Sequence, residues 1–292
     1  MPRHSWARVV PLAIAVLAVA AALWLAWRRL GVAQPRDLPT APAINAIPPD
    51  SAIRGPVVDE RRVGEYLVRI VEDSASHERV LDVSRRGRRL FARRSTDFRI
   101  ERAGRDLTGD GQPDLMVVEF TGGLHCCTRA TILGVGREFR DYGTVDGADG
   151  DVQLEDVNRD GVAELKIGDF RFAYWRDLPF SETPVPEVVL RFSGRGYTVA
   201  CDLMREPPPD EATLQEMARE LGQGWRTGDP PADLWGAAVN MVYAGNPDHA
   251  WRLLDIAWPA GNPGKTDFVR ELRARLADNP CWRPGLAPST GD

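Results

Sequence analysis

Two acidic segments of nine residues constrain this chain more than anything else in it. Residues 106–114 read DLTGDGQPD and residues 156–164 read DVNRDGVAE. Both follow the pattern D-x-[N/T]-x-D-G-x-x-[D/E], and each runs straight into a strand-like stretch, LMVVEF or LKIGDF. Acids at alternate positions around a glycine suit a tight loop whose alternate side chains point inward, with Gly111 or Gly161 taking the sharp bend. The side-chain oxygen donors are Asp106, Thr108, Asp110 and Asp114 in the first loop, and Asp156, Asn158, Asp160 and Glu164 in the second. The backbone carbonyls of Gln112 and Val162 would add one ligand each. A set of hard oxygens calls for a hard cation, so Ca²⁺ is the expected cofactor. Thr108 is a weaker donor than Asn158, so the second loop is expected to bind more tightly, and Asp160→Ala to hurt more than Thr108→Ala. Position twelve holds Val117 or Ile167 instead of Glu, and no long helix follows, so neither loop is an ordinary EF-hand. The plainer alternative is a pair of Asx-rich β-turns. Repetition of the motif after fifty residues, each time leading into a strand, argues against it.

Around these loops the chain reads as short β runs broken by turns. The runs are Tyr66–Val71, Arg79–Val83, Leu90–Arg93, Phe98–Glu101, Leu115–Phe120, Ala130–Leu133, Val152–Leu154, Ala163–Ile167, Val188–Phe192 and Tyr197–Cys201, rich in Val, Ile, Leu and aromatics. Residues 57–205 are therefore expected to form a mostly antiparallel β domain. Acidic loops spaced by strands at this period resemble the integrin-α-like (FG-GAP/VCBS) β-propeller repeat family over roughly residues 60–205. The resemblance implies propeller-like antiparallel blades and Ca²⁺ in the Asp-rich loops, which join adjacent strands of a blade. Two clear loops are too few for a closed ring, which needs at least about four blades, so a truncated or altered β fold is as much to be expected as a propeller.

Pro207-Pro208-Pro209 ends the β pattern, and residues 210–282 read as a small helical domain. Leu214, Met217, Ala218 and Leu221 share one helical face. A second helix starts after Pro230-Pro231 and stops at Gly245. A third uses Asn246 as N-cap and Pro247 at its first position. A fourth presents Phe268, Leu272 and Leu276. Short connections predict an antiparallel array. Trp225, Trp235, Trp251, Trp258 and Trp282 are expected in its core.

The N-terminus sets the expected address. Val9–Trp27 is nineteen residues without a charge, enough to cross about 28 Å of bilayer. Arg3, Arg8, Arg28 and Arg29 flank it, and Trp24 and Trp27 sit where interfacial aromatics belong. Residues 1–29 thus read as a signal anchor, with a cleaved signal peptide as the alternative. Residues 30–56, with six prolines between Pro35 and Pro56, read as an extended tether. Arginine outnumbers lysine so heavily, with Lys only at 166 and 265, that a high-GC bacterial source is expected. The expected location is the bacterial inner membrane with the bulk facing the periplasm, the lipid bilayer being a partner of the N-terminal helix.

The chain has four cysteines, Cys126, Cys127, Cys201 and Cys281. An even number on an exported chain suggests disulfides. Adjacent strand residues point to opposite faces, so Cys126 and Cys127 could reach different partners. At least one long-range bond between Cys201 and either of them is expected; a vicinal bond, a metal site or a thiol nucleophile beside His125 are the alternatives.

Residues 1–36 hold five arginines and no acid, which leaves the remainder with 32 basic and 42 acidic residues. So acidic a body is a poor nucleic-acid binder. No H-E-x-x-H, G-x-S-x-G or phosphate-binding glycine loop is present. The expected function is a membrane-anchored, Ca²⁺-stabilised extracytoplasmic protein that recognises a protein or envelope component. The rival is a hydrolase or thiol-dependent enzyme using His125 and Cys126 or Cys127. On cell fractionation the full-length chain is expected to stay with membranes through a carbonate wash. A mature soluble form starting near Gln34 would contradict the anchor.

Overall fold

The computed structural model describes residue 47 and residues 51–122, 127–279 and 281–282. The apolar run Val9–Trp27, most of the tether, His125 and Cys126 lie outside the described residues. Among the described residues no helix is long and apolar enough to cross a membrane.

Three open, four-stranded antiparallel sheets follow one another along the chain. The first contains β1 (Val57–Val63), β2 (Tyr66–Glu72), β3 (Arg79–Arg85) and β4 (Arg88–Ser95). The second contains β5 (Asp97–Arg105), β6 (Asp114–Phe120), β7 (Thr128–Val135) and β8 (Phe139–Asp146). The third contains β9 (Gln153–Glu155), β10 (Glu164–Gly168), β11 (Glu187–Phe192) and β12 (Tyr197–Val199). In each, spatial order follows chain order, so every sheet is a meander of neighbouring strands. The expectation of a mainly β part followed by helices is met; among the described residues the sheets close into neither a barrel nor a ring. Two strands have no counterpart among the β runs read from the sequence. β1, VVDERRV, is a charged edge strand with mostly exposed side chains. β8 carries Asp141 and Gly143 within its run, yet buries Tyr142 and Val145.

The second sheet is buried on both faces. Successive strand residues point to opposite sides, and in β6 both sides are apolar. Leu115 and Val117 join Tyr66, Val68, Ile70, Leu81 and Val83 of the first sheet in one core. Met116 and Val118 join a second core with Leu165, Val188 and Leu190 of the third sheet. That second core continues into the helices, so sheets and helices share it without a break.

The helices are α1 (Glu211–Leu221), α2 (Ala232–Tyr243), α3 (Pro247–Ala257) and α4 (Lys265–Leu276). Asp210 caps α1 by accepting the Thr213 N–H at 2.8 Å. Asn246 stands at the N-cap position of α3, but its amide does not cap; it donates to the Glu206 carbonyl and so tethers the helix start to the preceding loop. The tryptophans pack as expected. Trp235 is fully buried and meets Trp175 edge-on, and Trp225 meets Trp258 likewise.

The disulfide expected between Cys201 and Cys126 or Cys127 is not formed. Cys201 is bonded to Cys281, with 5.4 Å between their α-carbons. Cys127 is disulfide-bonded as well, and no free thiol occurs among the described residues. The reason lies in the shared core. It folds the helical segment back on the third sheet and brings the end of α4 to the end of β12, eighty residues away along the chain. Replacing both Cys201 and Cys281 by Ala is expected to cost about 2–5 kcal/mol of stability. Denaturant titration of oxidised protein checks this, and an unchanged midpoint would contradict it.

Candidate metal centre

Both acidic loops occupy the same place in their sheets. The first joins β5 to β6 and the second joins β9 to β10, in each case the first two strands of a meander. Their backbones twist alike. Position four is left-handed in both, Gly109 at φ 77° and Arg159 at φ 60°, and so is position six, Gly111 at 75° and Gly161 at 91°. The Asp at position one holds the loop from inside. Asp106 accepts the Gly109 and Gly111 N–H groups at 2.7 and 2.8 Å. Asp156 accepts those of Asp160 and Gly161, each at 3.0 Å.

Position nine does something different from what the motif suggests. Asp114 and Glu164 open β6 and β10 and are buried. Each reaches back beneath its loop. Asp114 Oδ2 accepts the N–H groups of Leu107 and Thr108 and the Thr108 hydroxyl, at 2.8, 3.1 and 3.1 Å. Glu164 Oε2 accepts the Val157 N–H at 3.0 Å. Position five faces outward. Asp110 accepts the Gln112 N–H and the Tyr142 hydroxyl, and Asp160 accepts the Val162 N–H and the Asn158 amide. Gln112 accepts the Arg137 N–H through its side-chain oxygen.

The loops lie side by side. A β-carbon built on Gly109 would stand 2.7 Å from Val162 Cγ2. Tyr197 of β12 reaches beneath both and donates from its hydroxyl to the Leu107 carbonyl, ninety residues away. Burial raises the Tyr197 pKa, and the charges of Asp114, Glu164 and Asp106 raise it further. Tyr142, Phe192 and Tyr197 form an aromatic chain below, with edge-on contacts at 4.9 and 5.5 Å. Neither tyrosine nor Gly109 carried a local signal: each acts through a neighbour distant in sequence.

The electrostatics of the two loops differ. In the second, Arg191 brings its Nε to 3.8 Å from Glu164 Oε1. The Asp160 pKa is lowered, chiefly by the Val162 N–H and the Asn158 amide, with Arg191 contributing. In the first, burial raises the Asp114 pKa, and the Asp110 charge pushes the same way against the pull of the Leu107 and Thr108 hydrogen bonds. Asp114 Oδ1 is buried and has no hydrogen-bond partner.

That orphaned oxygen is the test of whether a cation fits. A buried acceptor without a donor costs about 1–3 kcal/mol, and a hard cation would relieve it. The remaining donors, carboxylates with a hydroxyl, an amide and carbonyls, are also hard. Among the described residues no group of three or more His, Cys, Asp or Glu side chains is gathered closely enough to hold an ion by itself. The fit therefore depends on the neutral oxygens of Thr108, Asn158 and the backbone as well. The Gly-Gly-Leu-His-Cys-Cys segment offers less: Gly123, Leu124, His125 and Cys126 lie outside the described residues, and Cys127 has its sulfur in a disulfide. Comparison with protein-family models, curated proteins and solved structures finds no match for this chain.

The seam between the loops is testable by itself. Gly109→Ala forces a side chain into left-handed backbone and against Val162, and is expected to cost about 2–4 kcal/mol. Val162→Ala in the same chain should return the part due to overlap and leave the backbone strain. Additive losses in denaturant titrations of the two single variants and the double variant would show that the loops do not touch.

Proposed function

We propose that this chain is a Ca²⁺-stabilised binding protein of the cell envelope. Its N-terminal helix, Val9–Trp27, holds it in the inner membrane, and its β part recognises a protein or another envelope component. The observation that carries the cation role is Asp114: a buried carboxylate, raised in pKa, with one oxygen unpartnered beside a second acid. The first ion would be held by Asp106, Thr108, Asp110, Asp114 and the Gln112 carbonyl. The second would be held by Asp156, Asn158, Asp160, Glu164 and the Val162 carbonyl. Bound Ca²⁺ supplies two positive charges where each loop carries three acids. The chain's own part is to present oxygens on a pre-twisted loop and to pass the gain in rigidity to β6 and β10.

Three meanders, two of them with acidic loops at matching positions, support reading the sheets as blades of an incomplete propeller. The first sheet has only the short turn Gly64-Glu65 at that position, so it would carry no ion. The Cys201–Cys281 bond supports an oxidising compartment, since such bonds persist outside the cytoplasm. The thiol-enzyme reading is weaker, because Cys127 has no free thiolate to offer. Donor chemistry alone favours the second loop as the tighter site; the electrostatics favour the first, where no guanidinium offsets the buried acid. We place the tighter site there.

Calorimetry of the full-length protein in neutral detergent tests this. Ca²⁺ at a hundredfold excess over Kd is expected to add about 2.7 kcal/mol of stability relative to chelator, and more than Mg²⁺ adds. Asp110→Ala should remove a larger share of that gain than Asp160→Ala. The pH dependence has a definite sign. The folded-state pKa of Asp114 lies above its unfolded value, so its contribution is fully present at low pH and is lost as pH rises through the raised value. That loss should appear in chelator and fade with Ca²⁺. Identical melting curves with Ca²⁺ and chelator, and no bound metal by elemental analysis, would refute the cation role. A larger loss in Asp160→Ala would overturn only the ranking.

A further inference from the structure

The outward face of the first sheet carries an arginine cluster that neither the core nor the acidic loops use. The β pairing aligns Arg62, Leu67, Ser84 and Arg89 in one row across all four strands. In the adjoining row Arg69 lies between Glu60 and Asp82. The other face of the same strands, with Tyr66, Val68, Leu81 and Val83, builds the core shared with the second sheet. On the outward face is a cavity of about 530 Å³, lined among others by Arg62, Arg69, Arg86, Arg89, Glu65 and Asp82. Four guanidiniums face two carboxylates there, an excess of two positive charges.

The floor is prearranged. Asp82 is buried and accepts from Arg69 Nη2 at 2.6 Å and from Arg89 Nε at 2.7 Å, which fixes both forks. Arg89 is also held by the Ser51 carbonyl at 2.6 Å. Arg86 is tied to Glu65 at the rim. Two donors remain unspent. Arg69 Nε is buried without an acceptor, and Arg62 has no acidic partner among the described residues. A planar guanidinium with a free edge is matched by a tetrahedral oxyanion, which accepts from several forks at once. A charge excess of two fits a phosphate dianion, and the cavity has room for a substituent beside Leu67 and the arginine stems.

We propose that this cavity is a binding site for a phosphate monoester, with Arg62 and Arg69 as its principal donors. The site is separate from the acidic loops and stands whether or not they bind Ca²⁺. The group could arrive on a soluble molecule or on a lipid headgroup, since both present the same oxygens.

Isothermal titration of the full chain in neutral detergent, with inorganic phosphate, glycerol 3-phosphate and dihexanoyl phosphatidic acid, decides the matter. At least one ester should bind saturably and more tightly than inorganic phosphate; the tighter of the two esters assigns the source. Arg62→Ala should weaken that binding about tenfold, the loss of one charge-assisted contact. Arg69→Lys should also weaken it although the charge is kept, because the fork is lost. Arg61→Ala is the control: it lies on the other face of β1, opposite Val68 and paired with Asp59, and should leave affinity unchanged. Arg62 is exposed and has no ion-pair partner among the described residues, so its variant tests binding even if Arg69→Lys fails to fold. Absence of saturable binding by all three ligands, or equal affinity in wild type and Arg62→Ala, would overturn the proposal.

Discussion

Burial of the second sheet on both faces is the constraint from which the rest of this structure follows. β6 puts Leu115 and Val117 into one core and Met116 and Val118 into the other. Burying each such side chain is worth about 1.5–3 kcal/mol. The same strand carries two acids inward, Asp114 and Glu119. Those acids are treated differently. Glu119 lies between Arg93 at 3.7 Å and Arg129 at 3.8 Å, and Arg93 is itself held by Thr131 and Thr144. Among the described residues Asp114 has no guanidinium within ion-pair distance, and its second oxygen has no partner. One strand thus contains a buried acid that guanidiniums partly offset and a buried acid without that offset, and burial raises the pKa of both.

The third sheet depends on its surroundings for completeness. Its outer strands, β9 and β12, are three residues each. A sheet so small has little apolar area of its own, and three or more strands need a covered face for stability. The helices supply the cover, contributing Leu234, Trp235, Leu253, Leu254, Phe268 and Leu272 to the shared core. The Cys201–Cys281 bond then fastens the last helix to the last strand. The acidic loops lie where this composite layer meets the second sheet, with Tyr197 beneath both. Stiffening either loop therefore acts on the contact between two layers.

Much of this arrangement was legible along the chain. Strand alternation, proline breaks and the apolar stripes of the helices depend on near neighbours, and these marked most strands and all four helices. The loop motif was equally local: Asp106 reaches Gly111 within one turn. What escaped were features set by partners far away. β1 is charged and β8 contains a glycine, so neither shows a clean alternation; pairing with β2 and β7 makes them strands. Asp114 reads as a loop donor by spacing, and what the spacing hides is that its Oδ2 is already taken up beneath the loop by Leu107 and Thr108, because it starts a strand that is pulled into the core. Asn246 reads as a cap, yet its amide has a better acceptor in Glu206.

The sequence by itself determined most element types, the two acidic loops and the uncharged run Val9–Trp27, since each is a matter of residues within a few positions of one another. Tertiary structure alone decided three things. It chose Cys281 over Cys126 and Cys127 as the partner of Cys201, because a continuous core returns the helices to the third sheet. It set the two loops side by side, Gly109 against Val162. It lined up arginines from three strands on one face, because register places Arg62, Arg69 and Arg89 on the same side of the pleat. Each of these depends on which distant segments share a surface, and only the packed chain settles that.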